Sequence, residues 1–96
     1  MLKTATAGTL ESGDIMIEII PNNGSGIDIR LDSIVSHQFG KQIKNVITQV
    51  LREYGVDGVT VNATDKGALD CTIVARTTVA VCRAKDCDTN WQEANK

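Results

Sequence analysis

The sequence predicts an α+β domain, with an antiparallel sheet of about four strands and two helices in the order strand, strand, helix, strand, strand, helix. Three observations carry that prediction. Residues 15–20 and 27–32 alternate apolar and polar side chains with the two-residue period of half-buried strands. Residues 35–54 switch to a period of three to four, that of a helix with one apolar stripe. Beyond them lie a β-branched run, Val59-Thr60-Val61, and a second segment, 69–84, rich in Val, Thr and Ile. Ninety-six residues suffice for a single core, and no repeat or linker divides them. Strand order is not written in the pattern.

Residues 1–7 are small and polar and are expected to be loose, forming with the next seven an N-terminal segment, 1–14. In Ile15-Met16-Ile17-Glu18-Ile19-Ile20 the isoleucines at 15, 17 and 19 share one face and Glu18 takes the other. The cluster Pro21-Asn22-Asn23-Gly24-Ser25-Gly26 stops that strand. Ile27-Asp28-Ile29-Arg30-Leu31-Asp32 then alternates without exception. Two such runs joined by a glycine-rich loop predict an antiparallel hairpin.

Val35, Phe39, Ile43, Val46, Ile47, Val50 and Tyr54 form the helical stripe. Ser33 is the expected N-cap, its hydroxyl accepting from first-turn amides, and Gly55 the left-handed stop. Gly40 inside the helix costs about 1 kcal/mol against Ala, which points to a close neighbour. The stripe is assigned to the core, with docking of a partner helix as the alternative. Lys41, Lys44, Gln49 and Arg52 make a solvated, mildly basic opposite face.

Gly58–Asn62 reads as a strand and Asp65-Lys66-Gly67 as a tight turn with glycine at the positive-φ position. Leu69, Cys71, Ile73 and Ala75 alternate with Asp70, Thr72, Val74 and Arg76, which predicts a returning strand through Arg76 and a short helix from about Thr78 to Lys85. A helical reading of 68–84, with Leu69, Ile73 and Ala80 on one side, competes with it. The β-branched side chains, which lose rotamer freedom in a helix, place that reading second. In the strand reading Cys71 is a small buried hydrophobe. The folded α+β domain is thus expected to span 15–85, and 86–96, polar apart from Trp91, to be a flexible tail.

Composition narrows the function classes. A net charge of −2 with a pI near 5.2 gives no basic footprint for nucleic acid. A single Phe, Tyr and Trp leave little for base stacking. No run is long and apolar enough to span a bilayer, and Met1-Leu2-Lys3-Thr4 lacks the apolar core of a secretion signal, so a cytoplasmic location is expected. Cys71, Cys82 and Cys87 have neither CxxC nor zinc spacing, and their odd number favours free thiols in a reducing compartment. His37 is the one histidine, more often a helix-surface residue than a ligand or base, and no Ser/His/Asp set is drawn around it. No metal cluster, paired-carboxylate site or phosphate-cradling loop emerges, so no catalytic residue and no metal ligand is assigned.

One polar stretch remains, Gly8-Thr9-Leu10-Glu11-Ser12-Gly13-Asp14, just before the first strand. Glycine next to Ser12 leaves the backbone free to bend and the hydroxyl uncrowded, as a modifying enzyme requires. The same residues also suit an ordinary loop entering a strand. Glu11 and Asp14 either keep the loop solvated, the favoured reading, or are recognised by such an enzyme.

The wording Ala-Gly-Thr-Leu-Glu-Ser-Gly-Asp resembles the acyl carrier (gamma) subunits of citrate lyase. Gln38-Phe39-Gly40, Val56 to Val61, Asp65-Lys66-Gly67-Ala68-Leu69-Asp70-Cys71 and Ala75-Arg76 are similar too, in the family's order and spacing from about Ala7 to Ala84. The resemblance implies that Ser12 is joined through a phosphodiester to 2′-(5″-phosphoribosyl)-3′-dephospho-CoA, whose terminal thiol carries the acyl thioester. It implies three partners: a prosthetic-group transferase, an alpha (transferase) subunit exchanging acetyl for citryl, and a beta (lyase) subunit releasing oxaloacetate with Mg²⁺. It implies a non-catalytic carrier, in which the three cysteines take no part in the chemistry. A carrier of the same group for citramalate lyase or malonate decarboxylase is the nearest alternative, and an unmodified interaction module the next. Carriers of the fatty-acid-synthesis kind are four-helix bundles with Asp-Ser-Leu at a helix start, a pattern this chain lacks.

Overall fold

The alternation at residues 15–21 is realised as a strand that lies inside the sheet, paired on both sides. In the computed structural model, which describes residues 2–22, 24, 26–33 and 36–85, four strands and two helices follow in the order βββαβα. They are β1 (Ala5–Ala7), β2 (Ile15–Pro21), β3 (Ile27–Ser33), α1 (Ser36–Glu53), β4 (Val59–Asp65) and α2 (Asp70–Ala84). The sheet order is β1-β2-β4-β3. The α+β class and the numbers of helices and strands are as expected, but the elements do not follow in the expected order and the sheet is mixed rather than antiparallel.

The predicted hairpin does not form. β4 inserts between β2 and β3, antiparallel to β2 (Ile15 opposite Asp65, Pro21 opposite Val59) and parallel to β3 (Ile27 opposite Val59, Ser33 opposite Asp65). A parallel pair needs a crossover, and α1 supplies it. β2 and β3 read as half-buried ribbons whatever lies between them, so alternation alone could not show the insertion. The connection from β2 to β3 is tied to the start of β4. The Asn22 N–H donates to the Gly58 carbonyl (2.9 Å), the Gly58 N–H to the Gly26 carbonyl (2.9 Å), and the Gly26 N–H to Asp57 Oδ1 (2.7 Å).

Residues 5–7, expected to be loose, form the edge strand β1, with Ala5 opposite Ile19 and Ala7 opposite Ile17. Ala5 and Ala7 are buried, and α2 fastens the segment from above. The Lys3 N–H donates to the Ala84 carbonyl (2.9 Å) and Arg83 Nη1 to the Thr6 carbonyl (2.7 Å). Three residues are too short for a period to register, which is why composition alone misread them.

Both helices cover one face of the sheet, and the core lies between. Ile15, Ile17 and Ile19 from β2 and Val59, Val61 and Ala63 from β4 meet Ile43, Ile47 and Leu51 from α1 and Ile73, Ala80, Val81 and Ala84 from α2. The stripe of α1 is core over Ile43, Ile47 and Val50, but Phe39 and Tyr54 at its ends are exposed (48% and 40%), and Leu51 takes a core place the sequence reading omitted. Gly40 is buried mid-helix. The helix starts at Ser36, so Ser33 is not its cap; it is the last residue of β3, and its hydroxyl donates to Asp65 Oδ2 (2.8 Å). Gly55 ends α1 as expected, at φ 67°. Its N–H bonds the Arg52 carbonyl and that of Val56 bonds the Leu51 carbonyl, the paired closure of a Schellman motif.

The predicted strand at 69–76 is the first half of α2, so the second reading of 68–84 was the right one. Ile73, Thr77, Ala80, Val81 and Ala84 recur at helical spacing and are all buried. Leu69 (72% exposed) and Cys71 are exposed instead of buried, because the apparent two-residue alternation was accidental. Tertiary packing of the Ile73–Ala84 stripe outweighs the modest cost of β-branched side chains in a helix. Cys71 and Cys82 form no disulfide; Cys87, Trp91 and the expected tail 86–96 lie outside the described residues, as do Val35 of the predicted stripe and the His37 side chain. No helix among the described residues is long and apolar enough to cross a membrane.

Thr77 is wholly buried, and its hydroxyl has no hydrogen-bond partner among the described residues. Desolvating such a group costs about 1–3 kcal/mol. Thr77→Val, which replaces the hydroxyl by a methyl, is expected to raise the melting temperature by several degrees in thermal unfolding. A fall would show that the hydroxyl is satisfied.

Candidate functional site: the Ser12 loop

The segment between β1 and β2 is short and polar, yet it is fixed at many points. Its organiser is Asp14, which is only 8% exposed. One carboxylate oxygen, Oδ2, accepts from the Thr9 N–H (3.1 Å) and the Thr9 hydroxyl (2.7 Å), while Oδ1 accepts from the Ile15 N–H (2.8 Å). Arg76, from the middle of α2, donates Nε to Oδ1 (3.0 Å) and Nη2 to Oδ2 (2.9 Å), a bidentate, charge-assisted pair. The loop thus folds around one carboxylate, and α2 holds that carboxylate in place.

A second set of bonds ties the loop to the turn after β4. The Gly13 N–H donates to the Lys66 carbonyl (2.7 Å) and the Lys66 N–H to the Asp14 carbonyl (2.9 Å), extending the β2–β4 ladder past its end. That turn has its own buried carboxylate. Asp65, 1% exposed, accepts from the Ala68 N–H (2.9 Å) and the Ser33 hydroxyl. Gly67 adopts φ 90°, as its place in the turn requires.

Two glycines let the chain make this loop. At Gly8, φ is 96° and an added Cβ would overlap the Ile15 carbonyl oxygen, so the backbone there passes directly against β2. At Gly13, φ is 83° but a Cβ would meet nothing within 4 Å. Ser12 lies between these constraints, exposed, beside exposed Glu11 and open space. The loop therefore presents a hydroxyl from a fixed base. These features fit a phosphate-linked group: an accessible serine oxygen, an uncrowded glycine and a guanidinium bound to the carboxylate two residues after the serine.

The exposed position of Ser12 agrees with the sequence reading, and Glu11 is solvated as favoured. Asp14 is not. It is the structural centre of the loop, and neither solvation nor recognition describes it. The partner that explains it, Arg76, lies 62 residues away in sequence. Only the common membership of both residues in the matching motifs hinted at a link. Among the described residues no group of three or more His, Cys, Asp or Glu side chains could hold a metal.

The Arg76 guanidinium, with help from the Thr9 hydroxyl and the Ile15 N–H, holds the Asp14 carboxyl well below the usual carboxylate range. The same contact pushes the Arg76 guanidinium further up. A carboxylate depressed in the folded state stabilises it fully above its unfolded value of about 3.9, and that contribution is lost as pH falls. Asp14→Asn is therefore expected to melt several degrees below wild type at pH 5–7. The gap should close progressively below about pH 4, as the wild-type carboxyl is protonated in the unfolded chain and then in the folded one. A gap unchanged from pH 7 to pH 3 would show that the charge of Asp14 does not matter.

Fold and loop together define a small α+β domain that presents one serine hydroxyl on a braced turn. A family model described as malonate decarboxylase delta subunit (MdcD), of the ACP type, matches residues 2–84. Curated citrate lyase acyl carrier proteins are similar over nearly the whole chain. That of Latilactobacillus sakei is 55% identical over 94 residues, covering 96% of this chain and 91% of its own. That of Streptococcus uberis is 54% identical, covering 97% and 92%. The chain belongs to this acyl carrier family, which joins the citrate lyase carriers and the malonate decarboxylase delta subunits. A Pseudomonas malonate decarboxylase hetero-tetramer, solved in complex with malonate, contains a chain of the same fold (TM-score 0.71, 14% identity, 85% and 84% coverage).

Proposed function

We propose that this chain is the non-catalytic acyl carrier subunit of a citrate lyase, working in the cytoplasm, and that Ser12 carries its prosthetic group through a phosphodiester. The observation that carries the reading is an exposed serine, in the matching family motif, at the tip of a loop that the rest of the domain braces. The group is 2′-(5″-phosphoribosyl)-3′-dephospho-CoA; when attached, it supplies a terminal thiol that holds acetyl or citryl as a thioester. The partners are the prosthetic-group transferase and the alpha and beta subunits, which exchange acetyl for citryl and cleave citryl to oxaloacetate.

This chain's own residues supply the mount. Asp14, Thr9 and Arg76 fix the base of the loop, and the Gly13–Lys66 ladder prevents it from peeling off the sheet. A rigid base with a flexible arm lets two active sites see one acyl group at high effective concentration without dissociation. The citrate system is favoured over the malonate one because the citrate lyase carriers share 50–55% of residues with this chain, whereas the malonate decarboxylase chain shares 14%.

The test is intact mass spectrometry of wild type and Ser12→Ala, each coexpressed with the prosthetic-group transferase. Wild type is expected to gain one phosphoribosyl-dephospho-CoA unit and Ser12→Ala none. An equal gain in both would remove Ser12 from the reading, and no gain in either would remove the prosthetic group.

A further inference from the structure

The pairing of Arg76 with Asp14 uses only part of the guanidinium. Nε and Nη2 face the carboxylate, whereas Nη1 donates to no group among the described residues, and the side chain remains 41% exposed. A guanidinium carries five N–H donors in a planar fork, so the edge formed by Nη1 and the outer side of Nη2 is still available. Arg83 contrasts with it, since its Nη1 is occupied by the Thr6 carbonyl.

The anchoring on Asp14 decides what that open edge can meet. Asp14 lies two residues from Ser12, and at 3.8 Å per step their Cα atoms are at most about 7.6 Å apart. Gly13 between them brings no side chain, and the space above its Cα is empty to 4 Å. A phosphodiester on the Ser12 oxygen has two non-bridging oxygens sharing one negative charge, the pattern that a guanidinium edge binds bidentately. A lysine ammonium at position 76 would be a point charge and could not hold two anions on adjacent edges in fixed geometry.

We propose that Arg76 is a two-sided clamp, with one edge holding the Asp14 carboxylate and the other binding the phosphodiester of the group on Ser12. The inference rests on the reading in which Ser12 carries that group. Its consequence is a fixed pivot: the phosphate is held at the domain surface, and the arm swings only beyond it. Arg76 is a positioning and binding residue here, not a catalytic one.

The experiment compares apo and modified wild-type chain, each verified by intact mass, with nitrogen-15 NMR of the arginine side chains and phosphorus-31 NMR of the phosphodiester. Modification is expected to move the Arg76 side-chain resonances and leave those of Arg52 and Arg83 in place. In modified Arg76→Lys the phosphodiester resonance should shift from its wild-type position. The gain in melting temperature on modification, expected in wild type, should disappear in that variant. Unmoved Arg76 resonances in a fully modified wild-type chain overturn the clamp while leaving the Ser12 reading intact, and they do so even if Arg76→Lys does not fold. A wild-type chain that gains no mass overturns both.

Discussion

Ser12→Ala is expected to leave the domain folded and to eliminate citrate cleavage by the complex reconstituted with its other subunits. The two effects separate because the hydroxyl is exposed and makes no bond that the loop needs. The loop is held by Asp14, Thr9, Arg76 and the ladder to Lys66, all of which the variant keeps. A surface change of this kind moves stability by no more than about 0.5 kcal/mol. Activity is expected to fall completely because no cysteine side chain, of Cys71, Cys82 or Cys87, has the reach of the long arm that Ser12 is proposed to carry. Ser25, Ser33 and Ser36 lie outside the matching motif, and the Ser33 hydroxyl is engaged with Asp65. Thermal unfolding and a coupled oxaloacetate assay on the same preparation check both halves. Residual cleavage above background would mean that another residue carries the acyl group.

Gly8→Ala should do the reverse and damage the fold at a distance of four residues from the proposed attachment serine. The positive φ alone costs about 1–3 kcal/mol for a residue with a side chain. In addition the new methyl collides with the backbone carbonyl of Ile15, which is held in place by the pairing of Ile15 with Asp65 of β4. Each kcal/mol is worth about 4–8 °C in a domain of this size, so a fall in melting temperature of about 10 °C or more is expected. Gly13→Ala is the internal control, since it has the same sign of φ but open space around the methyl. It should lower the melting temperature by clearly less. Equal falls in the two variants would show that close approach at Gly8 contributes nothing.

Much of this was legible in the sequence, for particular reasons. The alternations at 15–20 and 27–32 gave real strands because one face of β2 is buried and one face of β3 is partly buried against the core, and the Gly55 stop was readable because left-handed helix ends so strongly favour glycine. Pairing was not legible. A strand between two neighbours and a strand at an edge show the same two-residue period, so β4 could slip between β2 and β3 unseen. The 69–84 segment was misread because two periods overlap there. The residues that fit both, Ile73 among them, hide the difference, and only the burial of Thr77, Ala80, Val81 and Ala84 separates them. At the site, the motif singled out Ser12, which the structure shows to be exposed. The bracing was not, because a contact between Asp14 and Arg76 spans most of the chain and local patterns carry no trace of it.

The central claim is that a single covalent attachment is made at Ser12. The most direct measurement is peptide mapping by tandem mass spectrometry of wild-type chain isolated from the assembled complex. The account predicts one modified peptide, containing Gly8 to Asp14, with the phosphoribosyl-dephospho-CoA mass on Ser12 and no other residue altered. Finding that mass on Thr9, on any cysteine or on a second peptide would contradict it.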